Sequence, residues 1–318
     1  MAGVRRTLAV DLLGLQLSTP VLIASGCAGT GRELAGLVDL HKVGGIVSRS
    51  ITMLARKGTP TPRIAESPSG VVWETGLQNP GIEVFIAEEL PRLTHAGTPV
   101  IVSVAGGSLE EFVRITSLLQ GLPGISAIEV HLSERDEELD RDVVASRPDR
   151  AAEIVGAVAR TSFVPVFAKL PFGSDLVEIA RAVVRAGANG LTLIDSPPAL
   201  GVDPATLRPR LGGVTGRLSG PAIRPLALRA VFEVSRTLPE VPILGVGGVR
   251  TGEDAVEMLL AGAWAVQVGT ATLVDPVAPV EIAQGVASYL KLKGLASPAD
   301  VRGRLRAPVS APLAEVDR

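Results

Sequence analysis

The chain has 318 residues, a mass of 32.8 kDa and a formal charge of −2, from 31 Lys and Arg against 33 Asp and Glu. So near-neutral a balance, with no basic run, excludes a nucleic-acid surface as the main function, and one cysteine excludes a disulfide framework or a multi-cysteine zinc or iron–sulfur site within the chain. Hydrophobic residues make up 46% and aromatics only 3%, so the core is built from Ala, Val, Leu and Ile, and three histidines are too few for a His-rich metal site.

Taken from the N-terminus, Arg5 and Arg6 precede a stretch, Leu8–Leu17, that Asp11 and Gln16 interrupt, which is a poor signal-peptide core. Val10–Leu17 reads instead as a small hairpin. Short β-branched runs ending in Gly, Ser or Pro follow at Val21–Gly26, Gly45–Ile51, Val100–Gly106 and Ala127–Ser133. Four more lie at Val164–Pro171, Gly190–Ser196, Pro242–Val249 and Ala265–Ala271. Their near-continuous apolar character fits strands covered on both faces. Amphipathic segments lie between them at Ala151–Arg160, Leu176–Ala186, Arg224–Thr237 and Glu253–Ala261. The longest uncharged stretch, Met258–Val274, is broken by Gly262, Gln267, Gly269, Thr270 and Thr272, and it reads as a helix end followed by a buried strand rather than a membrane span. Eight strand–helix units over about 270 residues predict a single-domain α/β fold, the (β/α)8 or TIM barrel. The hairpin then plugs its bottom, residues 1–306 form the barrel, and 307–318 are a C-terminal tail. An open doubly wound sheet is the rival, but its G-x-G-x-x-G fingerprint is absent after the first strand. Two βα connections are longer than a barrel needs: Thr52–Thr98, with a Pro-rich loop and a helix entered through Asn79-Pro80, and Pro197–Gly220. Extended loops of this kind cover the catalytic face.

Chemistry on this fold sits at the strand C-termini. There Gly247-Gly248 and Gly269-Thr270 end adjacent strands just before helices, and glycine backbone at a helix start suits a phosphate. The plainer explanation is tight-turn glycine. Lys169 interrupts an apolar strand. It either faces a ligand at the barrel mouth, where a cation would stabilise a reduced flavin, or pairs with Glu129 or Asp195.

These features lie within a broader resemblance. Ala24-Ser25-Gly26-Cys27, Thr59-Pro60-Thr61-Pro62-Arg63, Gly76-Leu77-Gln78-Asn79-Pro80-Gly81, Lys169-Leu170, Ser219-Gly220-Pro221-Ala222, Gly247-Gly248-Val249 and Val268-Gly269-Thr270-Ala271 occur in one order along residues 8 to 305. In this the chain resembles the class 1 dihydroorotate dehydrogenases, most of all their heteromeric, NAD-linked branch. The resemblance implies an FMN-dependent oxidoreductase acting on a C–C bond of a small cyclic substrate, in pyrimidine biosynthesis. It also implies a cytoplasmic homodimer and a separate iron–sulfur/FAD electron-transfer subunit. FMN would be held by Ser25, Gly26, Ser50, His131, Lys169, Ile194, Ser219, Gly220, Gly247, Gly248, Gly269 and Thr270, although His131 also reads as a satisfied core histidine. Cys27 would be a packing residue.

The substrate side departs from that pattern. The family ends strand four with Asn-Ile-Ser-Cys-Pro-Asn, whose cysteine is the base; here the segment is His131-Leu132-Ser133-Glu134-Arg135-Asp136. Arg49 stands for a lysine, Trp73 for an asparagine, and Asp195-Ser196 for an Asn-Thr or Asn-Ser pair. Together with Gly76, Leu77 and Asp136 these would line the substrate pocket, and Glu134 or Ser133 would replace the cysteine base. Ionised carboxylates cannot donate hydrogen bonds as amides do, so orotate is expected to bind weakly. Two such charges ~5 Å apart repel by roughly 3 kcal/mol at an effective dielectric of about 20. Glu134, Asp136 and Asp195 therefore need a compensating cation, from Arg49, Arg135 or a cationic substrate. Three readings stay open: turnover of dihydroorotate, turnover of another and cationic substrate, and a flavin-binding subunit without turnover. A fourth reading is local: Glu134–Asp142 is a solvated, mobile charged loop with no base in it.

Overall fold

The computed structural model describes residues 7–133 and 147–306. Eight parallel strands close into a barrel: Val21–Ile23, Gly45–Val47, Val100–Val104, Ile125–His131, Val166–Pro171, Gly190–Asp195, Ile243–Val246 and Ala265–Val268, the eighth pairing back with the first. Each of the eight lies within or largely overlaps a predicted run. All but the fourth are shorter than their runs, because the residues after those strands leave the barrel to build loops. Closure leaves no unpaired edge, and alternate residues face the barrel axis and the surrounding helices, which is why the strands read as continuously apolar.

The helices pack outside. Pro148–Thr161, Leu176–Ala186, Arg224–Thr237 and Gly252–Ala261 match the predicted segments within three residues, and Leu109–Leu119 and Ala278–Lys293 add to the ring. Gly252–Ala261 starts where it does because Thr251 Oγ1 accepts from the Asp254 amide while the Asp254 carboxylate accepts from the amides of Arg250 and Thr251. Such a capping box contributes about 1 kcal/mol. Between the second and third barrel strands the helix is irregular, with a π-helical turn at Phe85–Glu89 that buries Glu89.

The predicted hairpin is present as Val10–Leu12 paired with Leu15–Leu17. Leu12 and Leu17 are buried against Leu22, Val47, Ile101, Ala127, Phe167, Leu244 and Ala265, at the start of the barrel strands. Burying each leucine contributes roughly 1.5–3 kcal/mol, and the plug seals the end of the barrel opposite the strand C-termini.

The two long connections fold together. Ile64–Ser67 and Gly70–Trp73 form a hairpin; Gly216–Ser219 pairs antiparallel with Gly70–Trp73, and Pro198–Ala199 with Gly216–Ser219. The result is a four-stranded cap sheet drawn from both loops that leave the mouth of the barrel.

Candidate active site

Polar side chains collect inside the upper half of the barrel. Glu129, on the fourth strand, is fully buried; its Oε2 accepts from Thr192 Oγ1 at 2.9 Å and from Gln267 Nε2 at 2.9 Å, donated from the sixth and eighth strands. Its Oε1 lies 3.9 Å from Lys169 Nζ, and the same ammonium lies 3.5 Å from Asp195 Oδ1. Parallel pairing puts His131 and Thr192 beside Lys169, and a register shift between Leu193 and Asp195 ends the sixth strand. His131 Nε2 is 3.9 Å from Asp195 Oδ2. Both carboxylates named as partners for Lys169 therefore flank it, at the mouth, where the flavin reading also requires it.

Such a buried cluster is tolerable only when charges balance. Burial by itself would depress the Lys169 ammonium, but Asp195 and Glu129 outweigh it and hold the lysine above its ordinary range. Burial likewise works against the Asp195 carboxylate, yet Lys169, His131 and Arg217 overcome it and hold the group well below the usual carboxylate range. A carboxylate depressed in this way contributes stability above its unfolded value of about 3.9 and loses it as pH falls through the folded one.

Arg217 is the residue that sequence reasoning missed. It projects from the cap sheet, and its guanidinium donates from Nη1 to Asp195 Oδ2 at 3.0 Å and to the Ser196 carbonyl at 3.3 Å, and from Nη2 to the Ser133 carbonyl at 2.8 Å. The one signal in the sequence was an arginine inside the glycine-rich run Gly212–Gly220. Arg217 pairs directly opposite Trp73, so both side chains project from the same face of the cap sheet. Arg49, expected as a counter-charge for the carboxylates, does not serve Asp195. Its Nη1 donates to the Gln78 carbonyl at 3.2 Å and its Nε lies 3.9 Å from Glu89 Oε2. The compensation comes from Lys169 and Arg217, and Asp195 does not call for a cationic substrate. Glu134, Arg135 and Asp136 lie outside the described residues. Ser133 is buried, and burial pushes the Cys27 thiol up to about 11 against the pull of Lys169, which keeps it protonated.

The glycine-lined side divides into two kinds of position. Gly248 has φ +72°, and a Cβ there would stand 2.9 Å from the Gly220 carbonyl oxygen and 2.9 Å from the Arg224 amide nitrogen. That glycine is required by the protein's own packing, as the tight-turn explanation has it. Gly269 differs: its φ is −100°, and a Cβ would meet nothing nearer than Ala24 Cβ and Cys27 Sγ at 3.7 Å. At Gly26 a Cβ would meet nothing within 4 Å. Thr270 Oγ1 donates to Ser219 Oγ at 2.9 Å, joining the loop after the eighth strand to the cap sheet. Ser50 is buried with its hydroxyl 2.9 Å from that of Ser103, Ile194 is buried, and Ser25 is half-buried beside Gly26. Gly76 and Leu77 hold positive φ in the turn that leads to the Gln78 carbonyl. Backbone space beside Gly26 and Gly269, with an ammonium at the mouth, fits a phosphorylated ring cofactor.

A test separates the two kinds of glycine. Gly269→Val is expected to lose at least about tenfold in flavin affinity while the flavin-free protein loses less in thermal midpoint than Gly248→Val does, because the added Cβ itself clashes with nothing. Gly248→Val is expected to lower that midpoint as well, from its clash with Gly220 and Arg224. Full flavin retention in Gly269→Val would remove Gly269 from the cradle.

The family model for dihydroorotate dehydrogenase matches residues 7–290. The chain is 42% identical over 300 residues to the dihydroorotate dehydrogenase B (NAD(+)) catalytic subunit of Geotalea daltonii, covering 94% of this chain and 98% of the relative. It is 43% identical over 297 residues to the protein of the same name from Pelobacter propionicus, covering 93% and 97%, and 44% identical over 288 residues to that from Desulforudis audaxviator, covering 90% and 94%. Among the described residues, no helix is long and apolar enough to cross a membrane.

Proposed function

The chain belongs to the dihydroorotate dehydrogenase family, and we propose that it oxidises dihydroorotate to orotate with FMN as its flavin. The observation that carries the reading is Lys169, a buried ammonium held charged between Glu129 and Asp195 at the mouth of the barrel. Membership implies a flavin. In this reading Ser219, Gly220, Gly247, Gly248, Gly269 and Thr270 hold its phosphate end, and Ser25, Gly26, Ser50, His131, Lys169 and Ile194 its ring end. When bound, the flavin would supply a two-electron acceptor for a hydride from one substrate carbon, and a base on this chain would take the proton from the neighbouring carbon, leaving a carbon–carbon double bond.

The protein's share of that chemistry is position, charge and the proton. Lys169 offers a fixed cation toward the ring, worth most where water is excluded. Glu134 is the base, with Ser133 as the alternative, and a carboxylate is competent for that task once ionised. Trp73 and the cap sheet cover the substrate. The relatives are named as catalytic subunits, which supports a second subunit here. With one cysteine in the chain, an iron–sulfur centre for electron transfer would belong to that partner. A homodimer of this chain is part of the same proposal.

Anaerobic addition of dihydroorotate is expected to bleach the bound flavin, and orotate to perturb its visible spectrum saturably; the flavin released by denaturation should be FMN. A flavin-loaded protein that neither ligand affects would overturn the substrate, and one that releases another flavin would overturn the cofactor.

A further inference from the structure

Dihydroorotate and orotate are carboxylate anions, and Asp195 places a buried anion at the mouth where they are proposed to react. We propose that Arg217 is the specificity-determining counter-charge that makes this site compatible with an anionic substrate, an inference that rests on the substrate reading above. Lys169 cannot discharge the task alone, because its ammonium is shared between Asp195 at 3.5 Å and Glu129 at 3.9 Å. One cation facing two carboxylates leaves these three groups net negative. With Arg217 the formal charges of Glu129, Lys169, Asp195 and Arg217 cancel among themselves, the His131 imidazole lying 3.9 Å from Asp195 beside them, and Arg217 also donates to the Ser133 carbonyl, a second negative pole beside the pocket. Arg49 is committed to Glu89 and the Gln78 carbonyl and does not reach Asp195.

The placement of Arg217 matters as much as its charge. It is carried by the cap sheet rather than by a barrel strand, opposite Trp73, and is fixed by bonds to the ends of the fourth and sixth strands. Its planar fork can satisfy Asp195 and both carbonyls at once, which a lysine ammonium does less well. The counter-charge therefore arrives only when the cap is seated, so pocket closure and acceptance of an anion are one structural event.

The test is a cycle of wild type, Arg217→Ala, Asp195→Asn and the double variant, all loaded with FMN. Arg217→Ala is expected to raise the orotate Kd and the KM for dihydroorotate by about tenfold to a hundredfold, the range for one unbalanced charge roughly 5 Å from an anionic ligand. The rate at saturating substrate should fall far less. Adding Asp195→Asn to Arg217→Ala should recover most of that binding, since it removes the repulsion rather than restoring a contact. Arg217→Lys should recover part, and it serves where the alanine variant folds poorly. Orotate binding by Arg217→Ala equal to or tighter than wild type, or a double variant no better than Arg217→Ala, overturns the proposal. Thermal midpoints of the same four proteins without substrate supply the independent arm: the loss in Arg217→Ala should be relieved by Asp195→Asn, and additive midpoints refute the pairing. A wild-type protein that ignores both ligands refutes the substrate reading instead, and the midpoints still decide whether Arg217 is the counter-charge of Asp195.

Discussion

Lys169→Met is expected to slow reduction of the flavin by dihydroorotate about 10²–10³-fold, the loss typical of removing one preorganised charge from a site that excludes water. It is also expected to destabilise the protein by ~3–5 kcal/mol, because Glu129 is fully buried and its Oε1 has no cation within 4 Å besides Lys169 among the described residues. Asp195 suffers less, since Arg217 stays within 3.0 Å. The two effects have different owners and can be pulled apart. Adding Glu129→Gln removes the orphaned charge while leaving an acceptor for Thr192 Oγ1 and Gln267 Nε2. Stability measured by denaturation should then return toward wild type while rapid-mixing rates stay low. A double variant that regains both would make Lys169 a purely structural partner of the carboxylates.

Glu134→Gln is expected to lower kcat by about 10²–10⁴-fold, the usual contribution of a positioned general base, whereas Ser133→Ala should cost less than about tenfold. The pH dependence carries the sharper check. A base works only when deprotonated, so the rate falls as pH drops below its pKa. In Glu134→Cys that limb should move to higher pH, because the ordinary thiol value of about 8.5 lies above the ordinary glutamate value of about 4.3. Near-complete loss in Ser133→Ala with little change in Glu134→Gln would give the base to Ser133. Unchanged rates in both would take the proton abstraction away from this segment altogether.

The barrel was legible because its evidence is local. Each strand is a short run of Val, Ile, Leu and Ala that a glycine, serine or proline ends, and that pattern is set by burial on both faces. Lys169 was legible for the converse reason, as a charge where nothing polar belongs. Its flanking carboxylates followed from which strands lie beside it. The cap sheet was not legible. Pro198–Ala199 and Gly216–Ser219 carry little intrinsic β character, and their pairing with Gly70–Trp73 is fixed only once the barrel brings two distant loops over one mouth. Arg217 was lost with it, since a lone arginine in a glycine-rich loop carries no mark of what it will face. For the same reason the sequence does not show that Arg49 serves Glu89 rather than Asp195. The irregular turn at Phe85–Glu89 instead presents Glu89 to it.

The cap sheet also makes the mouth a unit of stability apart from the barrel. During synthesis the hairpin Ile64–Ser67/Gly70–Trp73 is made well before Gly216–Ser219, so its inner edge has no partner until six of the eight barrel strands exist. Pairings between such distant segments form late, after the closure entropy of the intervening chain has been met. The pairing that closes the barrel, Ala265–Val268 on Val21–Ile23, spans still more of the chain, so it is in the finished molecule and not during synthesis that the mouth can be uncovered over an intact barrel. In hydrogen exchange the amides of Gly70–Trp73 and Gly216–Ser219 should open at lower free energy than those of the barrel strands, as a unit of their own. A molecule opened in that unit keeps its core but lacks the face that carries Trp73 and Arg217, so the site can be lost while the barrel persists.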